Sequence, residues 1–345
     1  KIDYPRTPKS HEPSFTQNWL INCKHKIAKL IVQAREINKF HNTFLSSIMK
    51  YQVNGRIHAE INQLRGDNGG TVSGRLSMSN PNLQQVPARN KEFGPLIRSL
   101  FIPEEGCQWG SFDYSQQEPR MTVHYAASIG DGYEGSNELV EAYHKASADF
   151  HQTVADLVGI ERTQAKTIGL GLMYGMGKNK LAQSLGVSKE EADVLISKYN
   201  RKVPFVKMLS DRCMQTANEK GIIRTKKGRK CRFDRWEPKD FGLHNAEIFE
   251  NAVAKYGRDN IKRAFTYKAL NRLIQGSSAD QTKQAMLSCY EAGHLPILQI
   301  HDELCFNIKK LHEAEQIKKT MESCIEFKVP FVVDTKLGES WGTAK

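Results

Sequence analysis

Two acids far apart in the chain, Asp113 and Asp302, limit what it can fold into more than any other feature. Asp113 lies in Gly110–Arg120 (GSFDYSQQEPR), at the end of a short apolar run holding Trp109 and Phe112. Glu118 follows on a helix that starts just after it. Pro119 suits the first turn of that helix, where its missing N–H costs nothing, and Met121–Val123 with His124–Ala127 continue it. Asp302 lies in Leu295–Asn307 (LPILQIHDELCFN), where two short alternating or apolar runs meet at His301-Asp302-Glu303. That is a hairpin pattern with acids at its tip. Turn propensity does not explain the tip, which lacks the Asn-Gly or Asp-Gly pair of a two-residue hairpin. One strand-end Asp alone reads as a cap or turn residue. Two on distant strand tips offer what a pair of hard divalent cations takes: few oxygen ligands, with positions left for water and phosphate.

A third stretch, Glu161–Gly177 (ERTQAKTIGLGLMYGMG), reads as a helix with one chemically distinct face. Arg162, Lys166 and Leu170 are spaced by four, so each lies about 40° round from the last, and Tyr174 continues the rail. Two cations at its start suit a triphosphate, the Arg in bidentate contact and the Lys as a point charge able to protonate a pyrophosphate leaving group. The apolar and aromatic side chains beyond suit a nucleobase. An ordinary basic helix with packing glycines is the alternative. Gly169 and Gly171 each cost roughly 1 kcal/mol in mid-helix relative to Ala, which predicts a close approach to the backbone, such as that of a base pair.

These three stretches together resemble motifs A, B and C of family A DNA polymerases: DYSQIELR, R-x-x-x-K-x-x-x-(Phe/Tyr)-G-x-x-YG and HDE. Thr71–Pro87 (TVSGRLSMSNPNLQQVP) resembles the family's TGRLSS-x-PNLQNIP segment, and Asn271–Asp280 (NRLIQGSSAD) its Q-G-(T/S)-A-A-D helix. The likeness runs from about Ile27 to the C-terminus. It implies an α+β right-hand polymerase fold with an antiparallel-sheet palm, helical fingers and a partial helical thumb. The implied division is a partial thumb over 1–52, palm over 53–125, fingers over 126–268 with the motif B helix at 161–177, and palm again over 269–345.

The resemblance also implies roles. Asp113 and Asp302 would hold two Mg²⁺ ions, with Mn²⁺ able to substitute, and the Tyr114 carbonyl would add an oxygen. Glu303 would be a supporting carboxylate, and Lys166 would join the two aspartates in catalysis. The incoming nucleotide would meet Gln116, Glu118, His151, Arg162, Lys166, Leu170 and Tyr174, with Glu118 against the sugar 2′ position, where it disfavours a hydroxyl. Arg75, Asn82, Gln84, Asn271, Gln275 and His301 would contact DNA. The implied partners are primer-template DNA and a deoxynucleoside triphosphate (dNTP). Gln117, Pro119, Gly169 and Leu170 depart from the usual Ile, Leu, Asn and Phe/Tyr. The departures bear on nucleotide selectivity, and Leu170 predicts weaker stacking.

The rest of the chain fits this frame. A net charge of +12 over 345 residues favours a polyanionic partner. Seven cysteines show no C-x-x-C pair and no zinc spacing, so they read as reduced cytosolic residues. No run is long enough to span a membrane, and the opening KIDYPRTPKSHEPSF has no apolar signal core. Its linker-like start reads as a piece of a longer protein whose upstream exonuclease-like domain and first thumb portion lie elsewhere. The implied compartment is the cytoplasm of a bacterial or phage-infected cell, with an organelle as the alternative.

Ile27, Leu30, Ile31, Ala34 and Ile37 mark an amphipathic helix whose basic outer face is either solvated or, by resemblance, a grip on duplex DNA. Residues 136–160 read as helical with polar breaks, a helix is expected over 277–292, and a closing strand near Phe331–Thr335. Lys220–Lys239 carries nine Lys/Arg against two acids with Phe233 and Trp236 interleaved, which suits either a single-stranded template or a solvated hairpin. This region, to about residue 262, looks longer than in bacterial repair members, and its wording is closest to phage-type replicative ones. Three rivals share parts of the pattern. A single-subunit RNA polymerase would not want an acid at Glu118, a two-metal nuclease does not need the Arg162/Lys166 rail, and a non-catalytic DNA-binding subunit has no use for both aspartates.

Overall fold

The two acids come together on one antiparallel sheet. The computed structural model describes residues 4–7, 10–64, 66, 69–87, 90, 92–145, 149–240, 242 and 244–344. The chain opens with α1 (Gln17–Asn22), α2 (Lys26–Lys39), a π-helical turn (Phe40–Leu45) and α3 (Ser46–Tyr51). Two small pairs follow, β1 (Gln52–Val53) with β2 (Arg56–Ile57) and β3 (Glu60–Asn62) with β4 (Ser77–Ser79), then α4 (Phe93–Arg98), β5 (Gln108–Tyr114) and α5 (Gln117–Ala127). A helical block comes next: α6 (Ser136–Lys145), α7 (Phe150–Val158), α8 (Arg162–Met173), α9 (Lys178–Leu185), α10 (Lys189–Lys202) and α11 (Pro204–Lys220). Beyond it lie the pair β6 (Ile222–Arg224) and β7 (Lys230–Arg232), then β8 (Trp236–Pro238), α12 (Phe249–Tyr256) and β9 (Ile261–Arg263). The chain closes with α13 (Ala269–Glu291), β10 (Leu298–Ile300), β11 (Glu303–Ile308), α14 (Leu311–Ser323) and β12 (Val333–Gly338).

The main sheet has the order β10-β11-β5-β12, antiparallel throughout, so it joins strands from both sides of the helical block. Side chains alternate between its faces. Phe112, Tyr114, Leu304, Phe306, Ile308 and Val333 turn into the larger core, together with residues of α5, α13 and α14. Each such fully buried side chain contributes about 1.5–3 kcal/mol. Trp109 and Cys305 turn the other way, onto Phe40, Phe44, Ile97 and Trp341. Asp113 and Glu303 belong to this second face, at its open edge.

The path from β5 to α5 is held by a buried cation. Arg120 is 1% exposed, and its guanidinium donates to the carbonyls of Ser115 (3.0 Å) and Pro330 (2.6 Å) and lies 4.3 Å from the Tyr143 ring centroid. It thereby fastens the acid-bearing loop to the segment entering β12. Gln117 is 2% exposed and donates to Gln281 Oε1 at 3.1 Å, so this departure from a family Ile is a polar tie between α5 and α13.

Three sequence expectations shift. The helix expected over 277–292 begins further back, at Ala269, and is continuous with the helical stretch expected to carry Asn271 and Gln275, and the closing strand runs Val333–Gly338. The apolar stripe of α2 is not covered: Ile27, Leu30 and Ile37 are exposed, while the buried positions are Ala28 and, from α1, Leu20. Among the described residues α1 and the π-helical turn that continues α2 make its main packing contacts, and Ile27, Leu30 and Ile37 stay open to solvent.

Candidate active site

Register places three carboxylates in a row across the sheet. Glu303 pairs with Asp113 on one side and Asp334 pairs with it on the other, so all three side chains leave the same face. Asp302 completes the group from the β10–β11 turn, where the Tyr114 N–H donates to its carbonyl at 3.4 Å. The turn is only His301-Asp302, because Ile300 pairs with Glu303. His301 has φ 56°, the left-handed region that Gly or Asn normally fills. The missing turn chemistry in the sequence is thus met by a non-glycine residue in an uncommon conformation beside the acids.

Crowding shows in the acid–base balance. Loss of water contact pushes the Asp113 carboxyl up to about 7, reinforced by Asp302, Glu303 and Asp334 and opposed by Lys336. Asp302 is raised too, first by burial and then by Glu118, with Arg75 and His301 opposing. Two raised hard-oxygen donors side by side are chemically suited to a divalent cation. Among the described residues no three His, Cys, Asp or Glu side chains are gathered closely enough to hold an ion by themselves. A cation here needs further oxygens from backbone, water or phosphate.

Glu118 sits in the first turn of α5 and links this edge to α8. Arg75 donates to its Oε1 at 2.6 Å, and the Tyr174 hydroxyl, just past the end of α8, donates to Oε2. Gln275 hydrogen-bonds Tyr174 in turn, so one carboxylate joins the 71–87 segment, α5, α8 and α13.

On α8 the sequence-predicted rail is present, but its first cation is already engaged. Arg162 donates to Asp149 Oδ2 through Nε (2.8 Å) and an Nη (2.6 Å). The other Asp149 oxygen caps α7, accepting from the N–H groups of His151 (2.9 Å) and Gln152 (3.1 Å). Burial alone would raise Asp149, but these donors hold it below its usual range. Lys166 is exposed one turn further on, and Leu170 packs partly into the core. His151 is buried, which pushes its imidazole down to about 4 with help from Lys166 and Arg162 against Asp149, so it is neutral at pH 7. Its Nδ1 has no partner among the described residues. Gln116, itself left-handed at φ 54°, accepts the Phe150 N–H at 2.8 Å and ties the motif A turn to α7.

The mid-helix glycines do not face a nucleotide, contrary to the sequence reading. A Cβ on Gly169 would lie 3.1 Å from the Tyr199 hydroxyl, and one on Gly171 3.0 Å from Leu181. Both glycines are buried, and the close approach is made by α10 and α9.

Among the residues expected on DNA, Gln84 donates to Gln299 Oε1 at 3.0 Å, and Gln299 donates to the His301 carbonyl at 2.7 Å. Asn82 caps the short turn that carries Gln84. Asn271 and Gln275 are half-buried on α13, and His301 is exposed. Sequence reasoning missed Asp149, Asp334 and Gln299. Asp149 had a signal, a capping acid just before the Phe150–Val158 helix. Asp334 had only its place in an alternating strand, and Gln299 only its nearness to the tip.

The sheet with its acid edge, the helix across from it and the long helix beneath are those of a right-hand polymerase. The structure matches the polymerase domain of Pol1 from M. smegmatis, solved in complex with DNA primer-template and dNTP, with a TM-score of 0.79 and 28% identity over 99% of this chain and 59% of that one. The chain belongs to DNA polymerase family A, whose family model matches residues 2–343. It is 38% identical over 378 residues to a DNA-directed DNA polymerase of Pseudomonas phage M6, covering 96% of this chain and 54% of that protein. To the thermostable DNA polymerase I of Thermus filiformis it is 30% identical over 360 residues, covering 99% and 39%. The chain therefore spans about half, or less, of the length of these relatives. Family A polymerases use divalent metal ions. No helix among the described residues is long and apolar enough to cross a membrane.

Proposed function

We propose that this chain catalyses template-directed transfer of a deoxynucleotide from a dNTP to the 3′-hydroxyl of a primer. The observation that carries the reading is the convergence of Asp113 and Asp302 at one sheet edge, with Glu118 bridging that edge to the end of α8. Two Mg²⁺ ions, with Mn²⁺ able to replace them, would be held by Asp113, Asp302 and the Tyr114 carbonyl and would supply positive charge at the attacking hydroxyl and the departing pyrophosphate.

The remaining roles belong to this chain's own side chains. Arg162 exchanges Asp149 for triphosphate oxygens, Lys166 gives a proton to the pyrophosphate, and neutral His151 adds a hydrogen bond. Glu118, fixed by Arg75 and Tyr174, closes the space a 2′-hydroxyl would need. Gln116 and Glu303 hold the motif A turn and the acid edge in place. Leu170 gives the base an apolar surface, while Asn82, Gln84, Asn271, Gln275 and His301, with Arg75, line the duplex. Residues 1–52 then serve as a partial thumb, 53–125 and 269–345 as palm and 126–268 as fingers. The setting is the cytoplasm of a bacterial or phage-infected cell.

Primer extension with Mg²⁺ tests this directly. The chain should extend with dNTPs and poorly with ribonucleotides, and Asp113→Ala should abolish extension while primer-template binding persists. Normal extension by that variant would overturn the metal assignment.

A further inference from the structure

Residues 234–264 form a small lobe that the polymerase reading leaves without a role. β8 and β9 pair with each other, α12 packs across them, and a cavity of about 870 Å³ opens between them. Its wall carries Arg235, Lys239, Arg258 and Arg263 with Trp236 and Phe249. The cations outnumber the acids Asp234, Glu250 and Asp259 on the same wall. The wider segment 220–268 holds fourteen Lys/Arg against six Asp/Glu, so most of the chain's net charge of +12 is concentrated here.

Not all of these cations are structural. Arg263 is: it donates to the carbonyls of Phe233 (2.8 Å) and Asn218 (3.2 Å) and lies 4.6 Å from the Trp236 ring centroid, which fastens the lobe to β7 and α11. Lys239 donates to the Asp259 carbonyl at 2.7 Å. The Arg235 and Arg258 side chains are exposed and have no hydrogen bond or ion pair among the described residues. Trp236 and Phe249 pack 5.0 Å apart between centroids and remain partly open to the cavity.

The lobe lies next to the end of α8. From Arg263 the chain reaches Tyr267 in four residues, at most about 14 Å of extended backbone. The Tyr267 carbonyl abuts Gly175, 2.9 Å from where a Cβ on that glycine would be, and Tyr267 is 50% exposed. Tyr174, the neighbour of Gly175, is the residue that bonds Glu118 beside the acid edge. The acid edge is thus linked through Glu118, Tyr174, Gly175 and Tyr267 to the strand β9 that walls the lobe. Free cations set among aromatic faces, without a rigid base-reading pocket, fit a flexible polyanion carrying flat rings.

We propose that this lobe holds the unpaired template strand ahead of the templating position, with Arg235 and Arg258 on its phosphates and Trp236 and Phe249 against its bases. The proposal rests on the polymerase reading for the direction of the strand, but not for the binding itself. The test measures binding of the whole chain by fluorescence anisotropy to primer-templates with a short (about two-nucleotide) or long (about twelve-nucleotide) 5′ overhang, the long one within the usual span of a single-strand site. Arg235→Ala/Arg258→Ala should weaken the long-overhang complex about tenfold and leave the short one within about twofold. Its salt slope on the long overhang should fall by about 0.7 per lost contact. Extension on the short overhang should be unchanged, which shows the variant is folded. Equal weakening on both substrates, or none on either, would overturn the proposal. If the unmodified chain shows the overhang dependence but no extension, the polymerase reading fails and the single-strand site stands.

Discussion

The acid-bearing sheet edge and the cationic start of α8 face opposite electrostatic problems and handle them differently. At the edge, Asp113 and Asp302 are buried beside other carboxylates, and burial first and then those like charges raise both above the usual carboxylate range, only partly offset by Lys336, Arg75 and His301. On α8 the leading cation is neutralised in advance, because Arg162 is clamped by Asp149. One region is incomplete without an added positive charge, while the other must surrender a partner before it takes a negative one. On the polymerase reading, the two halves of the nucleotide site are therefore poised in different ways, one by the crowding of buried acids and one by substitution.

The strongest way to break the contrast is at the edge. Asp302→Ala should lower primer extension by at least about a thousandfold, roughly 4 kcal/mol in the barrier, with primer-template affinity retained. A variant retaining a tenth of the rate would show that Asp302 is no ligand. Next comes the clamp. Arg162→Ala should raise the KM for dNTP about tenfold or more, whereas Asp149→Asn, which keeps a helix cap, should lower it a few-fold at unchanged kcat. Equal losses from both would mean that the pair acts only as a structural tie. Glu118→Gln keeps the shape but removes the charge, and discrimination against ribonucleotides should fall by about tenfold, read from the ratio of kcat/KM values.

The smallest effect concerns pH. The folded-state pKa of Asp113 is raised to about 7, so the native state binds more protons than the unfolded chain between about pH 4 and 7. Its contribution to stability therefore declines as pH rises through that window. Asp113→Asn should stabilise the metal-free protein at pH 8 by about 1 kcal/mol once solvent screening is allowed for, and by little at pH 4. Melting curves at the two pH values check the sign, and added Mg²⁺ should favour the unsubstituted chain.

Much of the site was legible because the chemistry of its residues is local. The strand-end acids, the fourfold spacing on α8 and the hairpin at His301-Asp302 each occupy a few consecutive positions; the structure sets the two acids at one sheet edge and joins the end of α8 to Glu118 through Tyr174. What stayed hidden depends on pairing across the fold. Asp334 joins the acids only through the β5–β12 register, and the Asp149 clamp depends on how α7 packs on α8. The glycines of α8 were read toward a ligand because sequence gives their backbone cost but not which side of the helix is buried. The α2 stripe taught the converse, since periodicity marks an apolar face but does not say that anything covers it.

The Asp149 clamp also bears on turnover. Its carboxylate is fixed by two backbone N–H groups whether or not Arg162 is present, so it does not drift away when a triphosphate displaces it. On the polymerase reading, a ligand bearing fewer phosphate charges competes less well for the guanidinium. The spent pyrophosphate then meets a standing rival, and the recapture of Arg162 by Asp149 helps clear the pocket for the next round.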